Sequence, residues 1–187
     1  LILSLILIFI FYQSIYEAFN ILKRIFPTEN TKLYLLTLVT IIYILLFSLI
    51  IYIPISSNDF SQKIIIFIII SISIGSDIGG YLFGKTFKGK KITKISPNKT
   101  YSGVFGSYFL SIFFIFFLFN DYYTYNELFF FVILLSTISQ LGDLFISFLK
   151  RKAFLKNTGS ILPGHGGILD RIDGLIFSLP FGFFFIT

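Results

Sequence analysis

The stretch Leu33–Ile53 reads LYLLTLVTIIYILLFSLIIYI and contains no charged residue. A helix needs about 20 apolar residues to cross the hydrocarbon core of a bilayer, so this stretch is long enough to span a membrane. The composition of the whole chain agrees, since 56% of its 187 residues are hydrophobic and 13% are charged, whereas soluble domains carry about 25% charged residues. The sequence therefore excludes a soluble globular domain and indicates an integral membrane protein.

Apolar stretches of similar length occur on both sides of this one. An open strand leaves backbone groups unpaired in lipid and no segment alternates like a barrel strand, so every stretch is predicted to be helical. The predicted fold class is an all-α polytopic transmembrane helix bundle of about six spans. Pro54 is placed in a loop and Pro180 inside the last span, where it is able to kink the helix. The predicted spans are Leu1–Phe19, Lys32–Ile53, Lys63–Gly84, Gly103–Phe119, Glu127–Leu149 and Ile168–Thr187.

The residue inventory limits the chemistry. The chain has no Cys, which excludes disulfides, zinc–thiolate sites and cysteine nucleophiles. Carboxylates, one His and hydroxyls are left, so a metal, where one is used, should have oxygen ligands. The chain also has no Met and begins inside an apolar run, so we expect it to be N-terminally incomplete.

The basic residues predict an orientation. If the loop Asn20–Thr31 is cytoplasmic, all of the 15 Lys and Arg residues except Lys63 lie on the cytoplasmic side, as the positive-inside rule requires. The loops Lys85–Ser102 and Lys150–Gly167 then face the cytoplasm, and we expect a bacterial inner-membrane location. The net charge of +6 is mostly a topology signal in this interpretation. Nucleic-acid binding is not expected, because the basic residues form no soluble module.

Acidic residues inside apolar spans are informative, because an Asp at a helix centre costs about 2.5–3.5 kcal/mol on insertion scales. One interpretation makes each of them a solvated helix end; the other combines them into one site near the cytoplasmic surface. Ser139, Asp143, Ser147 and Lys150 are spaced to share one stripe of the fifth helix. Such a patch suits Mg²⁺, and Lys150 with Arg151 and Arg171 suits phosphate oxygens. The acidic residues singled out are Asp77, Asp143, Asp170 and Asp173.

Glycines and polar residues form two further motifs. Gly164, Gly166 and Gly167 surround His165 and allow a tight turn whose amides approach a phosphate before a helix begins; a plain interhelical loop is the alternative. The segment Ser96–Thr100 is a polar turn that either contacts a nucleotide or is only a turn.

Small residues in the third span have a simpler explanation. Gly75 with Gly79, and Gly80 with Gly84, have the spacing that lets two helices approach closely. Helix packing therefore accounts for these glycines, but it does not account for Asp77 between them.

The C-terminal motifs resemble the signature of the phosphatidate cytidylyltransferases, also called CDP-diacylglycerol synthases. The resemblance extends upstream through Gly142-Asp143 to Asp77, Tyr81, Gly84 and Ser96–Thr100, whereas the first two spans match only in hydrophobicity. Asn157 and Ser102 depart from the family pattern, which has acidic residues at both positions. The signature residues are Ser147-Phe148-Leu149-Lys150-Arg151, Lys156, Gly159, Pro163-Gly164-His165-Gly166-Gly167, Asp170-Arg171 and Asp173.

The resemblance implies a reaction in phospholipid biosynthesis, in which CMP is transferred from CTP to phosphatidic acid to give CDP-diacylglycerol and pyrophosphate. It implies one domain over residues 1–187, with N-terminal spans in 1–62 and a catalytic region in 63–187. The implied partners are CTP, phosphatidic acid and the lipid bilayer, with a homodimer allowed for. The active site would face the cytoplasm.

The resemblance also implies residue roles. Asp143, Asp170 and Asp173 would hold Mg²⁺ near Ser147, and a monovalent cation such as K⁺ would accompany it. Residues implied to contact substrate phosphates or the nucleotide are Asp77, Lys99, Thr100, Lys150, Arg151, Lys156, His165, Gly166, Gly167 and Arg171.

Three alternatives remain at this point. An ion- or proton-coupled transporter also uses intramembrane carboxylates, but it predicts acidic residues near the midplane and repeat symmetry, and the sequence has neither. A CTP transferase acting on a different lipid phosphate would share the same motifs. An inactive relative is conceivable because of Asn157 and Ser102.

Overall fold

The computed structural model describes residues 2–93, 95–96, 99–119, 125–161, 164 and 166–186. These residues form helices and connecting turns and contain no β-strand, and an isolated antiparallel bridge joins Lys91 and Thr100. The helices are α1 (Ile2–Ile25), α2 (Asn30–Ser56), α3 (Phe60–Phe87), α4 (Tyr101–Phe119), α5 (Tyr125–Lys152), α6 (Leu169–Ile172) and α7 (Leu175–Ile186).

Five of these helices, α1 to α5, are long and apolar enough to cross a membrane. The prediction of an all-α polytopic membrane bundle is confirmed. Most helices extend beyond the apolar run, because polar residues at the interface continue the helical hydrogen bonding. For example, α3 has 28 residues, which at 1.5 Å per residue gives about 42 Å.

The last predicted span, Ile168–Thr187, is not one helix. The chain turns at Asp173 and Gly174 between α6 and α7, because Asp favours turns over helix interiors and Gly costs about 1 kcal/mol relative to Ala in a helix. With 12 residues, α7 is about 18 Å long. It is shorter than the hydrocarbon core of about 30 Å.

Two predicted loop positions are also corrected. Pro54 lies inside α2, because the residues after it continue the helix and the amide of Ser57 donates to the carbonyl of Ile53 at 3.0 Å. Membrane helices tolerate proline when the surrounding structure compensates the lost bond. The predicted loop from residue 20 begins too early, since α1 continues to Ile25.

Helices α3 and α4 are held together by backbone contact. A Cβ atom on Gly79 would overlap the backbone of Gly106, and one on Gly75 would lie 3.0 Å from the Cα atom of Ser111. This confirms the prediction that the glycines of the third span serve helix packing. The close approach fixes the two helices that form one wall of the site.

Buried hydroxyls connect α3 to its other neighbours. Ser73 shares a hydrogen bond with Ser178 of α7 at 2.6 Å, and Ser136 of α5 donates to Ser76 at 3.0 Å. A buried polar group without a partner is costly, so these pairs favour one relative position of the helices. The central apolar core lies beside them and includes Ile66 and Ile69, which are fully buried.

Candidate functional site

A polar cavity of about 340 Å³ lies between α3, α4, α5 and α6. Several of the charged residues of the motifs meet there. The structure brings together all four acidic residues that the sequence singled out, along with two cations and a hydroxyl. These seven lining residues are Asp77, Asp143, Asp170, Asp173, Lys99, Arg171 and Thr100.

Asp143 is held from two directions. Its Oδ2 atom pairs with the Lys99 Nζ at 2.6 Å, and its Oδ1 atom accepts a hydrogen bond from Ser147 one turn later at 3.3 Å. The Lys99 ammonium also donates to the carbonyl of Gln140 at 3.0 Å. Lys99 thereby attaches the segment between α3 and α4 to α5. The hydrogen bond between Ser147 and Asp143 agrees with the predicted polar stripe on α5.

Asp170 is occupied by protein partners. Its carboxylate pairs with the Lys150 Nζ at 2.6 Å and accepts from the amides of Thr158 at 2.8 Å and Gly167 at 3.0 Å. Burial alone would raise the pKa of Asp170, but these hydrogen bonds and the Lys150 charge outweigh it and hold the pKa below its ordinary value. Asp170 therefore stays ionised and organises the loop around it.

Asp173 lies in the turn after α6, outside the five long helices. Burial raises its pKa to about 8, and the charge of Asp143 and a hydrogen bond with it, followed by the charge of Asp77, act in the same direction. The amide of Gly174 donates to Asp173 at 2.9 Å and opposes the shift. The charged form of Asp173 is therefore disfavoured beside Asp143 and Asp77, and a proton or a bound cation at this place would relieve the repulsion.

The predicted Mg²⁺ ligands are not arranged as a three-carboxylate set. Among the residues that the structure describes, no group of three or more Asp, Glu or His side chains is placed to hold a metal ion. Asp170 has both oxygens engaged, one by Lys150 and the other by the amides of Thr158 and Gly167, and its side chain is 7% exposed, against 29% for Asp143. Mg²⁺ needs only one or two protein carboxylates beside water and phosphate oxygens, so the neighbouring pair Asp143 and Asp173 fits it.

The predicted phosphate-binding residues divide into two groups. Lys99 and Arg171 line the cavity. Arg151 and Lys156 are exposed, and the Arg151 guanidinium donates to the carbonyl of Ile95 at 3.5 Å. This contact brings the two basic loops to the same end of the bundle.

Two glycines of the glycine-rich segment, Gly166 and Gly167, lie against Asp170, since a Cβ atom on Gly166 would lie 2.6 Å from Asp170 Oδ2. Gly164 and Gly166 have φ values of +75° and +86°, in the left-handed region that favours glycine. The amide of Gly167 donates to Asp170, so it already has an anionic partner within the protein. His165 and Pro163 lie outside the described residues, and the predicted role of His165 stays a prediction.

Thr100 lies at the start of α4. Its hydroxyl accepts from the amide of Gly103 at 3.1 Å and shares a hydrogen bond with Ser102 at 2.9 Å. Ser102, where the family pattern has an acidic residue, also accepts from the amide of Gly89 at 3.2 Å. A hydroxyl at this position therefore still supports the loop that carries Lys99.

One functional candidate was missed in the sequence. Glu17 in α1 is 1% exposed, and its carboxylate accepts from the amides of Ile168 and Leu169, next to the signature residues. The signal was present, since Glu17 is an acidic residue inside an apolar span and the insertion-cost argument applied to the four Asp residues applies to it equally.

Comparison with known proteins gives consistent matches. The family described as "Cytidylyltransferase family" matches residues 1–187. The phosphatidate cytidylyltransferase of Rickettsia felis is 40% identical over 166 residues, which cover 81% of this chain and 73% of the relative. That of Rickettsia prowazekii is 38% identical over 163 residues, 79% of this chain and 71% of the relative. That of Staphylococcus aureus is 43% identical over 113 residues, 56% of this chain and 42% of the relative.

Proposed function

Because this chain belongs to the cytidylyltransferase family, it is a nucleotidyltransferase that makes CDP-diacylglycerol from CTP and phosphatidate, and we propose that the polar cavity is its active site. The observation that carries this proposal is the convergence of four carboxylates with Lys99 and Arg171 in one cavity. A transporter is not favoured, since the family accounts for the same carboxylates as parts of a phosphate-transfer site.

The reaction needs charge neutralisation more than proton transfer. A phosphate oxygen of phosphatidate attacks the α-phosphorus of CTP, the new P–O bond forms, and the bond to the bridging oxygen of the β-phosphate breaks to release pyrophosphate. The attacking phosphate is already ionised near neutral pH, so no strong general base is required. The barrier is repulsion between two polyanions, and positioning with electrostatic stabilisation lowers it.

Each cavity residue then has a role. Lys99 and Arg171 neutralise phosphate oxygens, and Thr100 helps to place the nucleotide at the start of α4. Asp143 and Asp173 would hold Mg²⁺, which supplies positive charge at the phosphates when bound. We propose that Asp170 takes part by fixing the turn that leads to Arg171.

The remaining implied roles are proposals with less support. Arg151, Lys156 and His165 would meet phosphates from the rim of the site, and Lys150 acts through its pair with Asp170. K⁺ is retained as an accompanying ion to which we assign no ligands. A homodimer is tested by light scattering of the purified protein in detergent.

The location proposal combines charge and structure. The chain is a membrane protein with five apolar helices, and its cavity lies at the end of the bundle where the basic loops meet. By the positive-inside rule this end faces the cytoplasm, where CTP is made, and the bacterial relatives suit an inner membrane. The acyl chains of phosphatidate would remain in the bilayer while the headgroup phosphate enters the cavity.

A direct assay tests the active-site assignment. Purified protein is incubated with labelled CTP, phosphatidate and Mg²⁺, and the CDP-lipid is quantified. We expect Asp173→Asn to lower turnover at least about tenfold, equivalent to about 1.4 kcal/mol of barrier. The matched control is Asp59→Asn, because Asp59 accepts from the amide of Ser61 at 2.9 Å at the other end of α3. An equal loss in both variants would contradict the assignment.

A further inference from the structure

The carboxylate of Glu17 is fully engaged inside the protein. Its Oε1 atom accepts from the amide of Ile168 at 2.9 Å and from Gln13 Nε2 at 3.0 Å. Its Oε2 atom accepts from the amide of Leu169 at 3.0 Å and from the Thr158 hydroxyl at 2.6 Å. Four donors meet two oxygens, so the hydrogen-bonding capacity of this buried carboxyl group is satisfied inside the protein. Three of these donors belong to the signature segment, far along the chain from α1.

The segment is also pressed against this carboxylate. A Cβ atom on Gly159 would lie 2.8 Å from Glu17 Oε1, and one on Gly167 would overlap Oε2. Only glycine leaves room for the backbone to approach Glu17 so closely. The two glycines and the hydrogen bonds therefore fix the segment against α1 from both of its ends.

The contacts continue from Glu17 to the cavity. The Thr158 hydroxyl lies 3.1 Å from Asp170 Oδ2, and the Thr158 amide donates to the same oxygen at 2.8 Å. Asp170 is paired with Lys150 of α5. The segment that Glu17 holds continues directly into Arg171 and Asp173, which line the cavity, whereas Glu17 itself does not.

We propose that Glu17 is a positioning residue for the cytidylyl transfer: it anchors Thr158 and residues 167–169 to α1 and so keeps Arg171 and Asp173 at the reacting phosphates. This role rests on the proposed active site. It gives α1 a part in catalysis, although the sequence of the first span matches the family pattern only in hydrophobicity.

The test compares Glu17→Gln and Thr158→Val with Ser14→Ala. Gln keeps the size of Glu, but its NH₂ group faces a donor in either orientation of the amide. Val keeps the shape of Thr and removes only the hydroxyl, which makes it the second variant should Glu17→Gln fail to fold. Ser14 is the matched control, because it lies in α1, is fully buried, and its hydroxyl has no hydrogen-bond partner among the described residues.

Three quantities are measured on the full chain in detergent: amide hydrogen exchange, thermal midpoint and CDP-lipid turnover against Mg²⁺ concentration. In both test variants we expect exchange in residues 166–170 to rise at least about tenfold while exchange in α2 and α3 stays unchanged. Turnover should fall at least about tenfold, equivalent to about 1.4 kcal/mol, and the Mg²⁺ concentration for half-maximal turnover should rise because Asp173 is displaced. If the substitution only reduced the fraction of correctly folded protein, turnover would fall but the Mg²⁺ concentration for half-maximal turnover would not change. Ser14→Ala should match the wild type.

Three results would overturn the proposal. One is faster local exchange with wild-type turnover, and another is unchanged exchange in residues 166–170. The third is a lower thermal midpoint with faster exchange throughout the chain, which would leave Glu17 a structural role only. A failure of the proposed function looks different, because the wild-type chain itself would then make no CDP-lipid.

Discussion

Replacing Asp170 by Asn should destabilise the protein, whereas the same change at Asp173 should not. Asp170 and Lys150 form an ion pair at 2.6 Å with side chains only 7% and 11% exposed. Removing one member of a buried pair leaves the other charge uncompensated and costs about 3–5 kcal/mol. Asn keeps one acceptor oxygen for the amides of Thr158 and Gly167, so we take the lower end, about 3 kcal/mol.

Asp173 has the opposite environment. Its charge is disfavoured by burial and by Asp143 and Asp77, so an uncharged Asn of nearly the same volume removes repulsion. We therefore expect Asp173→Asn to match or exceed the wild type in stability while it loses activity. Comparing the stability of the two variants therefore distinguishes Asp170, whose charge stabilises the fold, from Asp173, whose charge the fold disfavours.

The assay is thermal unfolding of the purified protein in detergent at pH 7. A loss of 1 kcal/mol shifts the midpoint of a chain of this size by about 2–4 °C, so Asp170→Asn should unfold roughly 6–12 °C below the wild type. The control is Lys150→Met with Asp170→Asn, which removes both charges and should recover part of the loss. Equal midpoints for the Asp170 and Asp173 variants would refute the distinction drawn between them.

Three further predictions concern pH, phosphate binding and topology. The pKa of Asp170 is lowered in the folded protein. Its ionised carboxylate therefore contributes stability at a pH above the unfolded pKa of about 3.9, and this contribution is lost as the pH falls through the folded pKa. In melting curves recorded at decreasing pH, the midpoint should fall less for Asp170→Asn than for the wild type. Arg171→Ala should lower CDP-lipid turnover at least about tenfold, and Arg171→Lys should not restore it, because a guanidinium contacts two phosphate oxygens at once; full activity of the Lys variant in the same assay would leave only a charge role. Because the chain has no Cys, Asn157→Cys should react only with reagents that reach the cytoplasm and Asn58→Cys with impermeant reagents outside; labelling of both from one side would contradict the topology.

The sequence predicts those features that depend on composition and local spacing. Apolar runs longer than a bilayer requires identified the helices, and the four-residue spacing of Asp143 and Ser147 placed them one turn apart. The glycines of the third span indicated a close contact with another helix for the same reason, since Gly75 and Gly79 repeat at one helical turn, and the structure identifies that helix as α4.

Other features depend on contacts that no local pattern encodes. Lys150 was expected at a phosphate because it lies one turn after Ser147 on the polar stripe of α5, and only the folded chain shows Asp170 as its partner. The break at Asp173 was missed because the mean hydropathy of residues 168–187 is high even though one turn within them is polar. Glu17 had a local signal as an acidic residue in an apolar span, but three of its partners are more than 140 positions away, so the sequence could not show which segment it holds.

The long separation between Glu17 and its partners has a consequence for biogenesis. The amide of Ile168 lies 151 positions after Glu17 in the chain, and ribosomes add about 5–20 residues per second, so roughly 8–30 s pass before that donor is made. During this time α1 is in the translocon or the bilayer, and the Glu17 carboxylate has Gln13 of its own helix as a donor but lacks the three donors of the C-terminal segment. We therefore expect the nascent first helix to stay near the cytoplasmic interface until the C-terminal segment arrives. Truncated nascent chains that end before Thr158 should be the forms most exposed to membrane quality-control proteases.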